Sequence, residues 1–328
     1  MRYLTGFEGS SAWILLTPKK NIFITDFRYK EDAEKLLAED IWELFIYKEG
    51  LIMTIYQLCK KLNIKGLAVE SSVSYEFYIS LQRSGLTLTP LYSVVERMRS
   101  VKDGEEIRLI KEAIRRAEDA FMEVLYYIKP SKRERDIALR LEEVLKKAGC
   151  RNLPFDIIVA SGPNASMPHA RPTERKITKG DLVIIDWGGE AEGYYCDMTR
   201  TVLINGGDIS RKIEMYEAVL MANKEAIKGV RPEMRAGKVD EIARKIIKKR
   251  GFGDYFGHGT GHGVGLQVHE TPVISPKSKD RLKAGMVFTI EPGVYIPGIG
   301  GVRIEDMVYV TPKGREILTG LSKELKII

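Results

Sequence analysis

The chain has 328 residues, more than one average domain, and its 44% hydrophobic and 30% charged residues are the composition of a folded protein able to bury a large core. Its formal net charge of +7 raises the question of nucleic-acid binding, but the basic residues alternate with glutamate along segments such as "EEIRLIKEAIRRAED" and "EIARKIIKKRG". That pattern makes solvated helix faces rather than a basic stripe, so no nucleic-acid partner is expected.

In chain order, the opening "MRYLTGFEGSSAWILL" holds an apolar run too short for a signal peptide or a membrane span, so no membrane partner is expected. Over residues 12 to 90, short apolar runs ("AWILLT", "NIFITD", "WELFIY", "GLAVE", "LTLTPL") alternate with amphipathic stretches ("RYKEDAEKLLAE", "LIMTIYQLCKKLN", "SYEFYISLQRSG"). Strands and helices alternating at this spacing predict an α/β layer domain. From Asp103 the texture changes. Ile107, Ile110, Ile114, Ala117, Phe121, Val124 and Ile128 step by three and four, predicting one long amphipathic helix with Asp103 and Glu106 as its capping box. Ser131 with Glu134 is expected to open a second helix over Ile137, Leu141 and Leu145. A boundary within 93–102 follows, dividing the chain into domains 1–98 and 99–328.

The second part reads as an internal duplication. "KGDLVIIDWGGEAEGYYCDMTRTVLI" (179–204) is an apolar strand, a carboxylate, a glycine turn and a second strand preceded by a carboxylate; "AGMVFTIEPGVYIPGIGGVRIEDMVYV" (284–310) repeats the plan. Each copy follows two helical segments and a histidine-bearing loop. The expected architecture is a pseudo-symmetric α+β domain with both hairpins in one curved sheet. The carboxylates are Asp186 and Asp197 in the first copy, Glu291 and Glu305 in the second.

These acids sit in runs that otherwise favour burial, where an unpaired negative charge costs several kcal/mol. Protonation, arginine or lysine, or metal must neutralise them. Four carboxylates with one imidazole make an oxygen-rich site suited to Mn, Co, Fe or Zn, and the charge balance favours two divalent ions.

Three of the four histidines lie in "GHGTGHGVGLQVHE". His258 and His262 are four apart, but the glycines between and around them forbid a stable helix, so this is not a helical zinc motif. His262, flanked by glycine on both sides, can approach an ion most closely. His258 is either a satisfied core histidine or a substrate contact, and His269, in a strand-like context, is a candidate proton donor. His169 lies in the turn-rich "GPNASMPHARPT". Cys59, Cys150 and Cys196 are widely spaced and odd in number, fitting free thiols in a reducing cytoplasm; Cys196 adjoins Asp197 but reads as a buried thiol rather than a ligand.

"PHA", "IDWGG…CDMTR", "GHGTGHGVGL…VHE", "IEPGVY" and "VRIEDMV", in that order, resemble the successive signatures of the Xaa-Pro peptidases, prolidase and aminopeptidase P, of the pita-bread metallopeptidases (peptidase family M24). The resemblance extends over nearly the whole chain, with residues 1–98 similar to the creatinase-type N-terminal domain. That domain ordinarily has a helix and a strand before the "RYLTGF" segment, so the sheet here is expected to lack an edge strand.

The resemblance implies a hydrolase that cleaves Xaa-Pro bonds by attack of a hydroxide bridging two divalent ions. It implies Asp186 on one ion, Asp197 and Glu305 bridging both, and His262 and Glu291 completing the other shell. Glu291 is the implied proton shuttle, with His169 and His269 steadying the oxyanion. His258 would line the proline pocket, and Arg303 would hold the metal carboxylates. The substrate class is a peptide with proline in second position, the assembly a homodimer. Several prolidases of the group carry arginine after "HExP", where this chain has Val273. The dipeptidase is the first expectation, with an aminopeptidase acting on longer peptides as the alternative. A non-catalytic pita-bread binding module is disfavoured because all five ligand positions are intact.

Overall fold

The computed structural model describes all 328 residues and divides into two compact units, Met1–Val95 and Glu96–Ile328. In the first unit, Ala12–Leu16 pairs antiparallel with Asn21–Thr25, which pairs parallel with Glu43–Ile46. Gly66–Glu70 and Thr87–Leu91 form a separate parallel pair. Parallel neighbours need a crossover, supplied by the helices Lys30–Leu36 and Tyr75–Arg83. Ser74 caps the second of these by accepting from the Phe77 amide at 3.1 Å. Ile22, Ile24, Leu58, Cys59 and Leu81 form the core beneath them.

In the second unit the long helix runs over Gly104–Leu125 with both bonds of its capping box made, Glu106 N to Asp103 and Asp103 N to Glu106, each 2.9 Å. Its buried stripe of Ile110, Ile114, Ala117, Phe121 and Val124 stacks Phe121 on Trp187 at 4.4 Å. The next helix, Glu134–Lys147, departs from expectation at its start. Ser131 has a left-handed backbone (φ 74°), and no side chain caps the helix. Glu134 is instead fully buried, accepting from the Ser161 amide and hydroxyl, Asn164 and the Thr173 amide and hydroxyl at 2.6–3.1 Å. A buried carboxylate must be satisfied, and the 161–173 loop offers more donors than one free helix amide does.

The two copies of the repeat form hairpins, but in different sheets. Leu182–Trp187 and Met198–Leu203 belong to a four-stranded sheet; Val287–Ile290 and Asp306–Thr311 belong to a five-stranded one. The expected single curved sheet is not formed; near the joint the Thr201 hydroxyl accepts from the Arg303 amide (3.1 Å) and donates to the Arg303 carbonyl (2.8 Å), with Arg303 in a separate two-stranded pair, Gly293–Ile296 with Gly300–Arg303. One backbone bond, Glu305 N to Thr199 O at 3.1 Å, spans the joint. Helices Ser210–Gly229 and Ala236–Lys249 cover the second core. Strands Gly314–Ile317 and Lys326–Ile327, beyond the repeat, extend the two sheets. No helix is long and apolar enough to cross a membrane.

Candidate active site

Each carboxylate of the repeat stands where its strand stops. Asp186 is the penultimate residue of Leu182–Trp187, and Glu291 follows Val287–Ile290. Asp197 precedes Met198–Leu203, and Glu305 precedes Asp306–Thr311. The apolar strand carries each acid to the joint between the sheets, and the joint places all four around one cleft of about 490 Å³. His262 enters from the short strand Gly261–Gly263. Its flanking glycines are required by packing: a Cβ at Gly261 would lie 1.9 Å from the Thr289 carbonyl oxygen, and one at Gly263 2.3 Å from that of Thr271. The backbone crowds in on both sides so that the imidazole can reach the acids.

His262 Nε2 lies 3.5 Å from Asp197 and 3.7 Å from Glu291, and Asp197, His262 and Glu305 offer donor atoms within 4.8 Å of one another. One cation stands against the four acids. Arg303, buried, donates from Nη2 to Asp186 Oδ2 at 2.5 Å, from Nη1 to the Tyr295 hydroxyl at 2.9 Å and the Pro168 carbonyl at 3.2 Å, and from Nε to the Thr199 hydroxyl at 3.1 Å. Thr199 in turn donates to Glu305 at 2.8 Å. Three buried carboxylate oxygens, Asp186 Oδ1, Asp197 Oδ1 and Glu305 Oε1, have no partner at all.

The electrostatics follow from that imbalance. Burial, reinforced by Glu305, Asp186 and Glu291, raises the Asp197 carboxyl well above its usual range. Burial and the neighbouring acids raise Glu305 likewise, and burial, opposed by Arg303, lifts Glu291 to about 8. Burial, then the nearby His269, lowers His262 to about 4, leaving a neutral imidazole fit to donate a lone pair. Acids that resist ionisation, oxygens without partners and a neutral imidazole together form a donor set of the kind that fits a metal cation. No protein cation other than Arg303 reaches the carboxylates.

The remaining histidines ring the cluster. His258 donates or accepts through Nε2 with the Tyr295 hydroxyl (2.9 Å) and through Nδ1 with the Gly259 carbonyl (2.7 Å). Burial lowers it to about 4, so it is a neutral wall. His269 lies in a bend just before the strand Glu270–Ile274 rather than within a strand; its ring is 4.2 Å from that of His262. His169 is exposed on the cleft. Cys196 is buried and accepts from the Gly189 amide at 3.0 Å, and burial pushes its thiol up, consistent with an inert core thiol.

Three contributors escaped the sequence reading. Tyr295 joins Arg303 to His258, and Thr199 joins Arg303 to Glu305. Glu270 is clasped by Arg99 and by Lys102 Nζ (3.2 Å), fixing the backbone next to His269. Tyr295 stands within "IEPGVY", and nothing in its spacing distinguishes it from a core aromatic.

A buried acid–imidazole cluster at the joint of a duplicated α+β unit is the architecture of a metal-dependent hydrolase. The metallopeptidase family M24 model matches residues 108–312, and the creatinase/prolidase N-terminal domain model matches residues 1–101. The chain belongs to metallopeptidase family M24. It is 39% identical over 299 residues to an Xaa-Pro dipeptidase of Pyrococcus furiosus, covering 90% of this chain and 85% of that one. The solved structure of an Xaa-Pro dipeptidase from Bacillus anthracis superposes with a TM-score of 0.96 at 37% identity, covering 100% of this chain and 92% of the other. That of an X-Pro aminopeptidase from Thermotoga maritima gives 0.91 at 35% identity, covering 100% and 93%.

Proposed function

We propose that the protein is a dinuclear-metal hydrolase of Xaa-Pro peptide bonds, acting first as an Xaa-Pro dipeptidase. The observation that carries this is the cluster of four acids and one imidazole with three unpartnered carboxylate oxygens in a single cleft. Asp186, Asp197, His262, Glu291 and Glu305 would hold two ions of Mn, Co, Zn or Fe. When bound, such ions supply Lewis-acid activation of the water and of the amide carbonyl.

The chain's own residues do the rest. An Xaa-Pro bond is a tertiary amide without an N–H, so the proline nitrogen leaves only once protonated. Glu291 takes the proton of the attacking water and returns it to that nitrogen. His169 and His269 donate to the carbonyl oxygen as negative charge develops on it. His258, held by Tyr295 and Gly259, walls the space for the ring. Arg303 keeps Asp186 oriented. Residues 1–98 would form the creatinase-type domain and 99–328 the catalytic one. A cytoplasmic location, supported by three free cysteines, and a homodimer complete the reading.

Elemental analysis with turnover of an Xaa-Pro dipeptide tests it: chelation should abolish hydrolysis, and Mn or Co should restore it. Metal-independent turnover, or none with any divalent ion, overturns it. The alternative, an aminopeptidase acting on longer peptides, is favoured by one observation. Val273, on the cleft, is apolar and 49% exposed, leaving that wall without a cation for a free carboxylate. An Xaa-Pro-Yaa tripeptide cleaved faster than the dipeptide would select it.

A further inference from the structure

A dipeptide brings a free carboxylate to within one residue of the scissile carbonyl, and that charge needs a cation in the cleft. No lysine lines the cleft, and only two arginines do, Arg171 and Arg303. Arg303 is spent: all three guanidinium nitrogens already donate to Asp186, Tyr295, Pro168 and Thr199. Arg171 makes no hydrogen bond or ion pair, although Asp156 lines the same cleft.

The backbone around Arg171 is held at both ends. Pro168 O accepts from Arg303 at 3.2 Å, and Thr173 N donates to the buried Glu134 at 3.0 Å. Between them Ala170 is buried in a small cluster with Ala160, Ala165, Ile184 and Tyr295, while His169 and Arg171 on either side are exposed. Both exposed residues line the cleft. They stand two residues apart in the chain, as the scissile carbonyl and the carboxylate one residue beyond it are neighbouring groups of a dipeptide. His169 at the carbonyl and Arg171 at the carboxylate would then address neighbouring groups of one substrate.

We infer that Arg171 is the specificity-determining residue that binds the C-terminal carboxylate of a dipeptide substrate, an inference that rests on the Xaa-Pro dipeptidase reading. The planar fork of a guanidinium matches a carboxylate with two parallel bonds, which a lysine cannot reproduce. Arg171 thus supplies the charge that Val273, which lines the same cleft, does not.

The test compares an Xaa-Pro dipeptide with its C-terminal amide on the metal-loaded protein, in wild type, Arg171→Met and Arg171→Lys. Wild type should prefer the acid, with a KM that rises with ionic strength. In Arg171→Met the KM for the acid should rise about tenfold, the loss of one charge-assisted contact, with kcat less affected, so that the acid-over-amide preference collapses. Arg171→Lys should recover part of it. Calorimetric titration with L-proline, which carries the same carboxylate, should show the same tenfold weakening without turnover. An unchanged acid-to-amide ratio and unchanged proline affinity in Arg171→Met overturn the inference while leaving the peptidase reading intact. Wild type that hydrolyses neither substrate overturns both.

Discussion

Glu291→Gln in the metal-free protein isolates the cost of the acid cluster. Burial lifts the Glu291 carboxyl from its ordinary 4.5 to about 8, so the folded state resists its ionisation. A group whose folded value is raised contributes stability that is complete below its unfolded value and is lost as pH rises through the folded one. For Glu291 that window runs from about pH 4.5 to 8. Between pH 5 and pH 8 the folded state should lose about 3 kcal/mol on this group alone, counting 1.36 kcal/mol per pH unit of unmatched ionisation. Asp197 and Glu305, raised by the same burial, add losses of the same sign. Chelator-treated wild type should therefore be markedly less stable at pH 8 than at pH 5. Glu291→Gln should flatten that dependence by about 3 kcal/mol, read by denaturant unfolding at the catalytic unit's own transition. Added Mn should reverse the trend in wild type, because cations favour the ionised acids and bind only the folded state. Equal pH dependence in the two metal-free proteins would refute the reasoning.

Asp197→Asn keeps the shape but removes a charge that an ion needs, so it should abolish metal binding and activity while circular dichroism shows an intact fold; full retained activity would contradict the ligand assignment. Glu134→Ala strands the five donor groups of Ser161, Asn164 and Thr173 and should cost about 3 kcal/mol in chemical denaturation, with accelerated proteolysis of the 161–173 loop. Tyr295→Phe removes the bridge between Arg303 and His258 and should weaken Mn affinity about tenfold in calorimetry, since Arg303 then orients Asp186 less firmly. An unchanged affinity would mean that Thr199 and Pro168 suffice to hold the guanidinium.

The helices of the second unit are legible in the sequence because their burial is periodic. The capping box at Asp103 and Glu106 forms as its residues indicate. The same rule applied to Ser131 and Glu134 misleads, because a helix-start glutamate can be drawn into a distant loop, and the donors that draw it lie about thirty residues on. The acids announce themselves by standing at the ends of apolar runs, a mismatch visible without coordinates. What those acids touch is not visible: Thr199 and Tyr295 are ordinary strand residues whose importance comes from tertiary proximity to Arg303. The duplication is readable as a repeated plan, whereas its division between two sheets is a matter of tertiary pairing that the strand pattern does not encode. Short strands beyond the repeat, such as Lys326–Ile327, carry too little pattern to be found.

The repeat has a consequence for how the protein matures. The first half contributes Asp186 and Asp197; the second contributes His262, Glu291 and Glu305. The halves also exchange ties, Thr199 of the first to Glu305 of the second and Arg303 of the second to Asp186 of the first. An ion held as proposed would draw its ligands from both halves, so the full set of five donors exists only where the halves have met. Bound metal would then report a correctly closed joint, and two co-expressed half-chains that recover it would have rebuilt that joint.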